Sequence, residues 1–78
     1  MMGYYEQLNT MLQNEFTDVV TYVELSKNGS GAESQILRDI AREEYTHAKH
    51  LKQILKDAGK LEDFKELECK AKAALESV

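Results

Sequence analysis

From residue 31 to residue 58, apolar side chains recur at helical spacing, and a carboxylate and an imidazole break the face they mark. The stripe runs Leu37, Ile40, Ala41, Glu44, His47, Ala48, Leu51, Ile54, Leu55 and Ala58. At about 100° per residue, Glu44 falls within roughly 20° of its centre and His47 within roughly 50°. A buried charge is costly without a partner. Residues three apart on a helix have Cβ atoms about 5–6 Å from one another, so both side chains can reach one ion. Polar groups at ligand spacing in the middle of a core stripe point to a metal.

A second acid repeats the pattern. Over residues 4–27 another helical stripe contains Tyr5, Leu8, Leu12, Phe16, Val19 and Val23, flanked by Tyr4, Met11 and Tyr22, and Glu15 lies on it. Asn28-Gly29-Ser30 separates the two stripes. Glu15 precedes Gly29 by fourteen residues and Glu44 follows it by fifteen. At 1.5 Å per residue both stand roughly 21–22 Å from the bend, level with each other in an antiparallel hairpin.

The ends of these helices are marked locally. Lys27 and Asn28-Gly29 suit a left-handed cap on the first helix, with Gly29 at positive φ. Ser30 with Glu33 three residues on forms a capping-box pattern for the second, and Gly59 is its stop. A third helix is expected over about residues 61–77, with Leu61, Phe64, Leu67, Ala71, Leu75 and Val78 on one face and Glu62 and Asp63 in its first turn. The fold class expected is all-α: one domain spanning residues 1–78, an antiparallel two-helix hairpin (about 4–27 and 31–58) plus a short C-terminal helix.

Such a chain has more apolar face than it can cover. Its 78 residues make a marginal core, so self-association into a homodimer or a higher even-numbered oligomer is expected. Net charge is −4 with acids and bases interspersed, and no basic stripe appears, which argues against nucleic acid as a partner. No run of 18 apolar residues is present to span a membrane. The opening Met1-Met2-Gly3-Tyr4-Tyr5-Glu6 lacks the pattern of a signal peptide. A single cysteine, Cys69, fits a reducing cytoplasm.

Glu15, Glu44 and His47 offer two carboxylates and one imidazole. Hard oxygen donors with one nitrogen suit iron or manganese better than structural zinc. Two hairpins about a twofold axis double the set to four Glu and two His. Two Fe(II) ions would carry a charge that the four carboxylates balance, whereas an empty site would hold four repelling acids. That ligand set is the one held by ferritin-like di-iron bundles.

Ile40-Ala41-Arg42-Glu43-Glu44-Tyr45-Thr46-His47-Ala48 resembles the second-helix motif of rubrerythrins and related ferritin-like proteins. Glu15 with Tyr22 seven residues on resembles their first-helix pattern. The likeness covers about residues 4–58, half of the family's four-helix bundle, as in half-size members such as encapsulated ferritins that complete the bundle by dimerising. It implies Glu15 as terminal ligand, Glu44 as bridging ligand and His47 as nitrogen ligand, with two irons per dimer and manganese or zinc as possible substitutes. It implies oxidation of Fe(II) by O2 or peroxide in iron handling, with a rubrerythrin-like peroxidase or a non-catalytic metal-binding dimerisation module as alternatives. The chain has no second Glu-x-x-His, no Cys-x-x-Cys pair and no recognisable tail for targeting to a protein compartment.

The neighbouring residues have plainer readings. Glu43 points roughly 80–90° from the stripe centre and reads as a surface acid or one that supports the ligands from behind. Tyr22 serves as core, or its hydroxyl hydrogen-bonds a ligand carboxylate two turns away. His50 and Cys69 read as exposed. Tyr45 is expected to point away from the core, towards the third helix or another subunit.

Overall fold

The computed structural model describes residues 2–78. It has three helices, α1 (Tyr4–Ser26), α2 (Gly31–Asp57) and α3 (Lys65–Glu76), and no strand among the described residues. The helical hairpin with a short C-terminal helix is therefore present, and α1 and α2 pack along their length.

Their seam has a simple origin. On α1 the buried residues are Asn9, Leu12, Phe16, Val19, Val23 and Ser26, alternating three and four apart. On α2 they are Ser34, Ala41, Ala48 and Leu55, every seventh residue. This 3–4 alternation keeps one face turned to a neighbouring helix, as in coiled coils. The small residues of α2 let the large ones of α1 come close. Each fully buried Leu, Val or Phe contributes about 1.5–3 kcal/mol, so Leu12, Phe16, Val19, Val23 and Leu55 carry most of the core.

The broad stripe expected on α2 is split. Ala41, Ala48 and Leu55 are buried, but Ile54 is 44% exposed and the His47 side chain 56% exposed. One helix covers only about half of so wide a stripe. For Tyr45 the expected direction towards the third helix holds, since it packs on the cluster that includes Ala71 of α3, but the direction away from the core does not. It lies against the core, its ring 6.3 Å from that of Phe16, with the Lys49 ammonium 5.2 Å above it.

The turn between α1 and α2 is tight. Ser30 Oγ accepts the Glu33 amide at 3.3 Å, and the Ser30 amide donates to Glu33 Oε1 at 2.9 Å, completing the capping box. The Ser30 amide, and after it the Ser30 hydroxyl, acting on the carboxylate hold the fully exposed Glu33 carboxyl below its ordinary range. Gly29 does not take the positive φ expected of it; Gly59 alone among the described residues does, at 67°. What Gly29 supplies is space, since a Cβ there would lie 3.2 Å from that of Glu33. Gly59 ends α2 as expected. The Lys60 amide reaches back to the Leu55 carbonyl (2.9 Å) and the Gly59 amide to that of Lys56 (3.0 Å), a Schellman pair.

The third helix begins at Lys65, later than expected, and Leu61 to Phe64 form an irregular connection. Buried Asn9 explains the delay. Its Nδ2 donates to the Lys60 carbonyl (2.9 Å) and its Oδ1 accepts the Glu62 amide (3.0 Å), tying the connection to α1. Glu62 and Asp63 thus precede the helix, and Glu66 and Glu68 occupy its first turn. Leu61, Phe64, Leu67 and Leu75 still pack on the core around buried Ala71. Val78 is 38% exposed rather than part of that face, and Cys69 is exposed as expected. Lys52 Nζ holds both Glu68 oxygens, at 2.9 and 3.0 Å, pinning α3 to α2.

The result is a slab of 41 × 23 × 16 Å. Its radius of gyration, 13.4 Å, exceeds the about 11.5 Å of a compact chain of this length. Helix α3 closes one side of the hairpin and leaves the other open. No helix among the described residues is long and apolar enough to cross a membrane.

Candidate metal centre

On the open side, Glu15 of α1 meets Glu44 and His47 of α2. One donor atom from each lies within 4.8 Å of the others. His47 Nδ1 stands 3.7 Å from Glu15 Oε2 and 3.8 Å from Glu44 Oε1. Equal distance from the turn brings the two acids level, and one helical turn brings His47 beside Glu44. The carboxylates are mostly shielded, with side-chain exposures of 20% and 21%, while the imidazole is the open edge of the cluster.

The electrostatics are those of a site short of positive charge. Glu44 is pushed up to about 7, first because Glu15 accepts a hydrogen bond from its protonated form. Burial and repulsion by the Glu15 charge push the same way, and His47 pulls against them. Oε2 of Glu15 is buried with no hydrogen-bond partner. A proton on Glu44 serves as donor to the pair, and a cation bound between them would replace it. Two oxygens and one nitrogen around a buried, unpartnered oxygen fit a hard or borderline divalent ion.

The other residues singled out in the sequence are placed more plainly. Tyr22 is half-buried on α1, two turns from Glu15, and is not part of the three-residue cluster. Glu43 and His50 are exposed. Asp18, half-buried one turn beyond Glu15, belongs to none of the motifs above, although its i+3 spacing from a ligand candidate is visible in the sequence. The best-formed concavity lies elsewhere, a cavity of about 310 Å³ between α1 and the 61–64 connection, lined by Leu12, Phe16, Leu61, Phe64 and the Lys52–Glu68 pair. Glu62, Asp63 and Lys65 also line it, and none of its lining residues belongs to the acid–imidazole cluster.

The rubrerythrin family model matches residues 6–77, nearly the whole chain. This chain belongs to the rubrerythrin family. No curated protein sequence and no solved structure matches it significantly. As a rubrerythrin-family domain it is a ferritin-like, di-iron carboxylate type of protein, and domains of that family typically bind iron. Its three helices are fewer than a four-helix bundle needs, and its Glu-x-x-His occurs once. Within this rubrerythrin-family chain, Glu15, Glu44 and His47 are the cluster placed so that it could hold a metal ion.

Proposed function

We propose that two copies of this chain close a ferritin-like bundle around a di-iron site and oxidise Fe(II). The observation that carries the proposal is the convergence of Glu15, Glu44 and His47, with one buried unpartnered oxygen, on the side of the hairpin that α3 leaves open. Glu15 would hold iron through its carboxylate, Glu44 would be the carboxylate shared between two ions, and His47 would supply nitrogen. Each Fe(II) gives up one electron. Two of them reduce O2 to peroxide with two protons, or peroxide to two waters with two protons, so the electrons balance. Carboxylates suit this change because their fixed negative charge favours the more highly charged ion.

The protein residues have separate tasks. The Glu44 carboxyl must give up its proton before it can bridge, so occupancy competes with protons near pH 7. The largely exposed His47 leaves an approach for ion and oxidant at the rim. Val19 and Phe16 close the floor behind the acids and keep water away. We place the chain in the cytoplasm on the strength of its unpaired Cys69. Anaerobic titration with Fe(II), with bound iron and protein mass determined together, tests the proposal. Two irons per dimer and rapid oxidation on adding O2 or peroxide are expected. A protein that binds no iron at any pH from 6 to 8 would overturn it.

A further inference from the structure

Helix α2 sorts its charges by direction. Its cations are Arg38, Arg42, Lys49, Lys52 and Lys56. At about 100° per residue, all of them and Tyr45 fall within an arc of roughly 80°. The acids of the same helix keep clear of that arc. Asp39 and Asp57 lie roughly 100° from its centre, Glu44 roughly 120°, and Glu33 and Glu43 roughly 140°. Along the chain these cations are interspersed with acids and show no basic stripe; winding α2 into a helix makes one. From residue 38 to residue 56 it is roughly 27 Å long.

The stripe is matched only in part from within. Lys52 holds Glu68 of α3, and Arg42 holds Asp39 at 3.2 Å in an exposed pair of the kind that contributes little. Arg38, Lys49 and Lys56 have no acid at ion-pairing distance among the described residues. Arg38 Nε is buried with no hydrogen-bond partner, and the Lys49 ammonium rests over the Tyr45 ring. A groove of about 350 Å³ opens along the stripe where α2 meets Glu68, lined by Lys49, Lys52, Gln53, Lys56 and that acid. Its lining carries an excess of positive charge. His47 lies roughly 180° from the stripe's centre, so this surface faces away from the acid–imidazole cluster and the iron chemistry does not use it.

The distribution of charge selects the occupant. A nucleic-acid duplex carries a phosphate charge every about 1.7 Å. It would meet Asp39, Glu43 and Asp57 beside the stripe, on a chain of net charge −4. A partner one helix wide meets the cations alone. The stripe's members are spaced four, three, four, three and four apart, a pattern that reads the same in both directions. Acids at i, i+4, i+7 and i+11 of another helix repeat it. We propose that this stripe docks an acidic helical segment of a partner protein. Arg38 and Arg42 offer planar forks to its carboxylates, and Lys49 and Lys56 offer mobile ammonium groups along the groove.

Fluorescence anisotropy of the full chain with labelled probes tests this. The probe is a helix-forming Ala/Gln peptide of about twenty residues with Glu at the stripe's spacing. Its control has the same composition with the Glu spread around the helix. The first peptide is expected to bind, and to bind less well as salt is raised, because exposed charges are screened. Lys49→Gln combined with Lys56→Gln should weaken binding about tenfold or more, whereas Lys27→Gln, at the end of α1, should leave it unchanged. All three positions are exposed, so circular dichroism and iron count should match those of the parent. A parent that ignores the peptide at low salt, binding that the double variant leaves intact, or equal binding of both peptides would overturn the proposal. So would a single-stranded DNA of the same length that binds more tightly than the peptide. A parent that binds iron but no peptide removes the docking stripe and leaves the ferroxidase reading standing.

Discussion

The two sides of the α1–α2 hairpin make an instructive pair. On one, Leu67, Ala71 and Leu75 of α3 lie against Phe16, Val20 and Tyr45, and Lys52 pairs with Glu68. On the other, the same helices present columns of equal spacing that α3 does not cover, and their middle layer holds Glu44, pushed up to about 7 beside Glu15. Periodicity is common to both sides. Each side leaves a buried polar atom without a hydrogen-bond partner, Arg38 Nε in the column of Tyr45 and Lys52 and Glu15 Oε2 on the open side. What differs is that only on the open side does that atom converge with a second acid and an imidazole.

The sharpest way to break this comparison is to remove the central acid. On the proposed bridging role of its carboxylate, Glu44→Ala should abolish iron binding at both positions of a dimer. Glu15→Ala and His47→Ala should weaken binding at least tenfold, and Glu43→Ala, at an exposed position off the cluster, should change little. Bound iron and oxidation rate for the four variants decide it. A silent Glu44→Ala beside a lethal Glu43→Ala would shift the functional face by one helix position.

Next in size is the contrast in stability. Phe16→Ala on the closed side should cost about 3–5 kcal/mol, most of what a chain of this length possesses. Leu25→Ala on the open side should move the stability of the monomer by less than about 0.5 kcal/mol. Urea unfolding of each at concentrations low enough to keep the chain monomeric gives both numbers. Equal losses would mean that the open side is structural within one chain.

Smaller still is the effect of Asn9. Its side chain serves the Lys60 carbonyl and the Glu62 amide, and Asn9→Ala strands both. A loss of about 1–3 kcal/mol is expected, with faster amide exchange in α3 and an unchanged iron count, because the strap lies on the closed side of the molecule.

The mildest is a dependence on pH that metal should invert. With Glu44 at about 7 in the folded chain against an ordinary 4.5, the folded state binds more protons than the unfolded state between those values. The stability of the metal-free chain should therefore be greatest at the acid end of that window and fall as pH rises through about 7. Bound Mn(II), used as a probe that does not oxidise readily, should stabilise more as pH rises, because it displaces that proton. Melting temperatures at pH 5, 6 and 7.5, with chelator or with Mn(II), measure both slopes. A metal-free melting temperature that rises with pH would mean that Glu44 is not held up.

Much of this is legible in the sequence because it is local. The capping box at Ser30 and Glu33, the stop at Gly59, and the level heights of Glu15 and Glu44 all follow from spacing along one helix or across one short turn. The rest depends on groups far away in sequence. The start of α3 is set by Asn9, more than fifty residues upstream, so the apolar pattern of 61–64 continues a helix that the backbone does not form. The split of the α2 stripe into covered and open halves, and the inward place of Tyr45, depend on which flank α3 takes. No periodicity within α2 contains that. At Gly29 the turn is where the residue type places it, but for a different reason, since glycine there answers to crowding by Glu33 and not to backbone handedness.

The Asn9 strap has a consequence for the order in which the molecule assembles. Bringing residues 9 and 60 together from an open chain means closing a loop with a sequence separation of 51. That costs about 3.5 kcal/mol in chain entropy beyond a constant, which the strap's pair of hydrogen bonds, at about 1 kcal/mol each, could not offset. Once α1 and α2 have paired through their short turn, Leu55 already lies in the same core cluster as Leu12. Only the Schellman turn at Gly59 then separates Lys60 from its partner. The hairpin is thus the template on which α3 docks. Amide protons of α3 should never outlast those of the α1–α2 seam, and the last helix of the chain should be the first to leave.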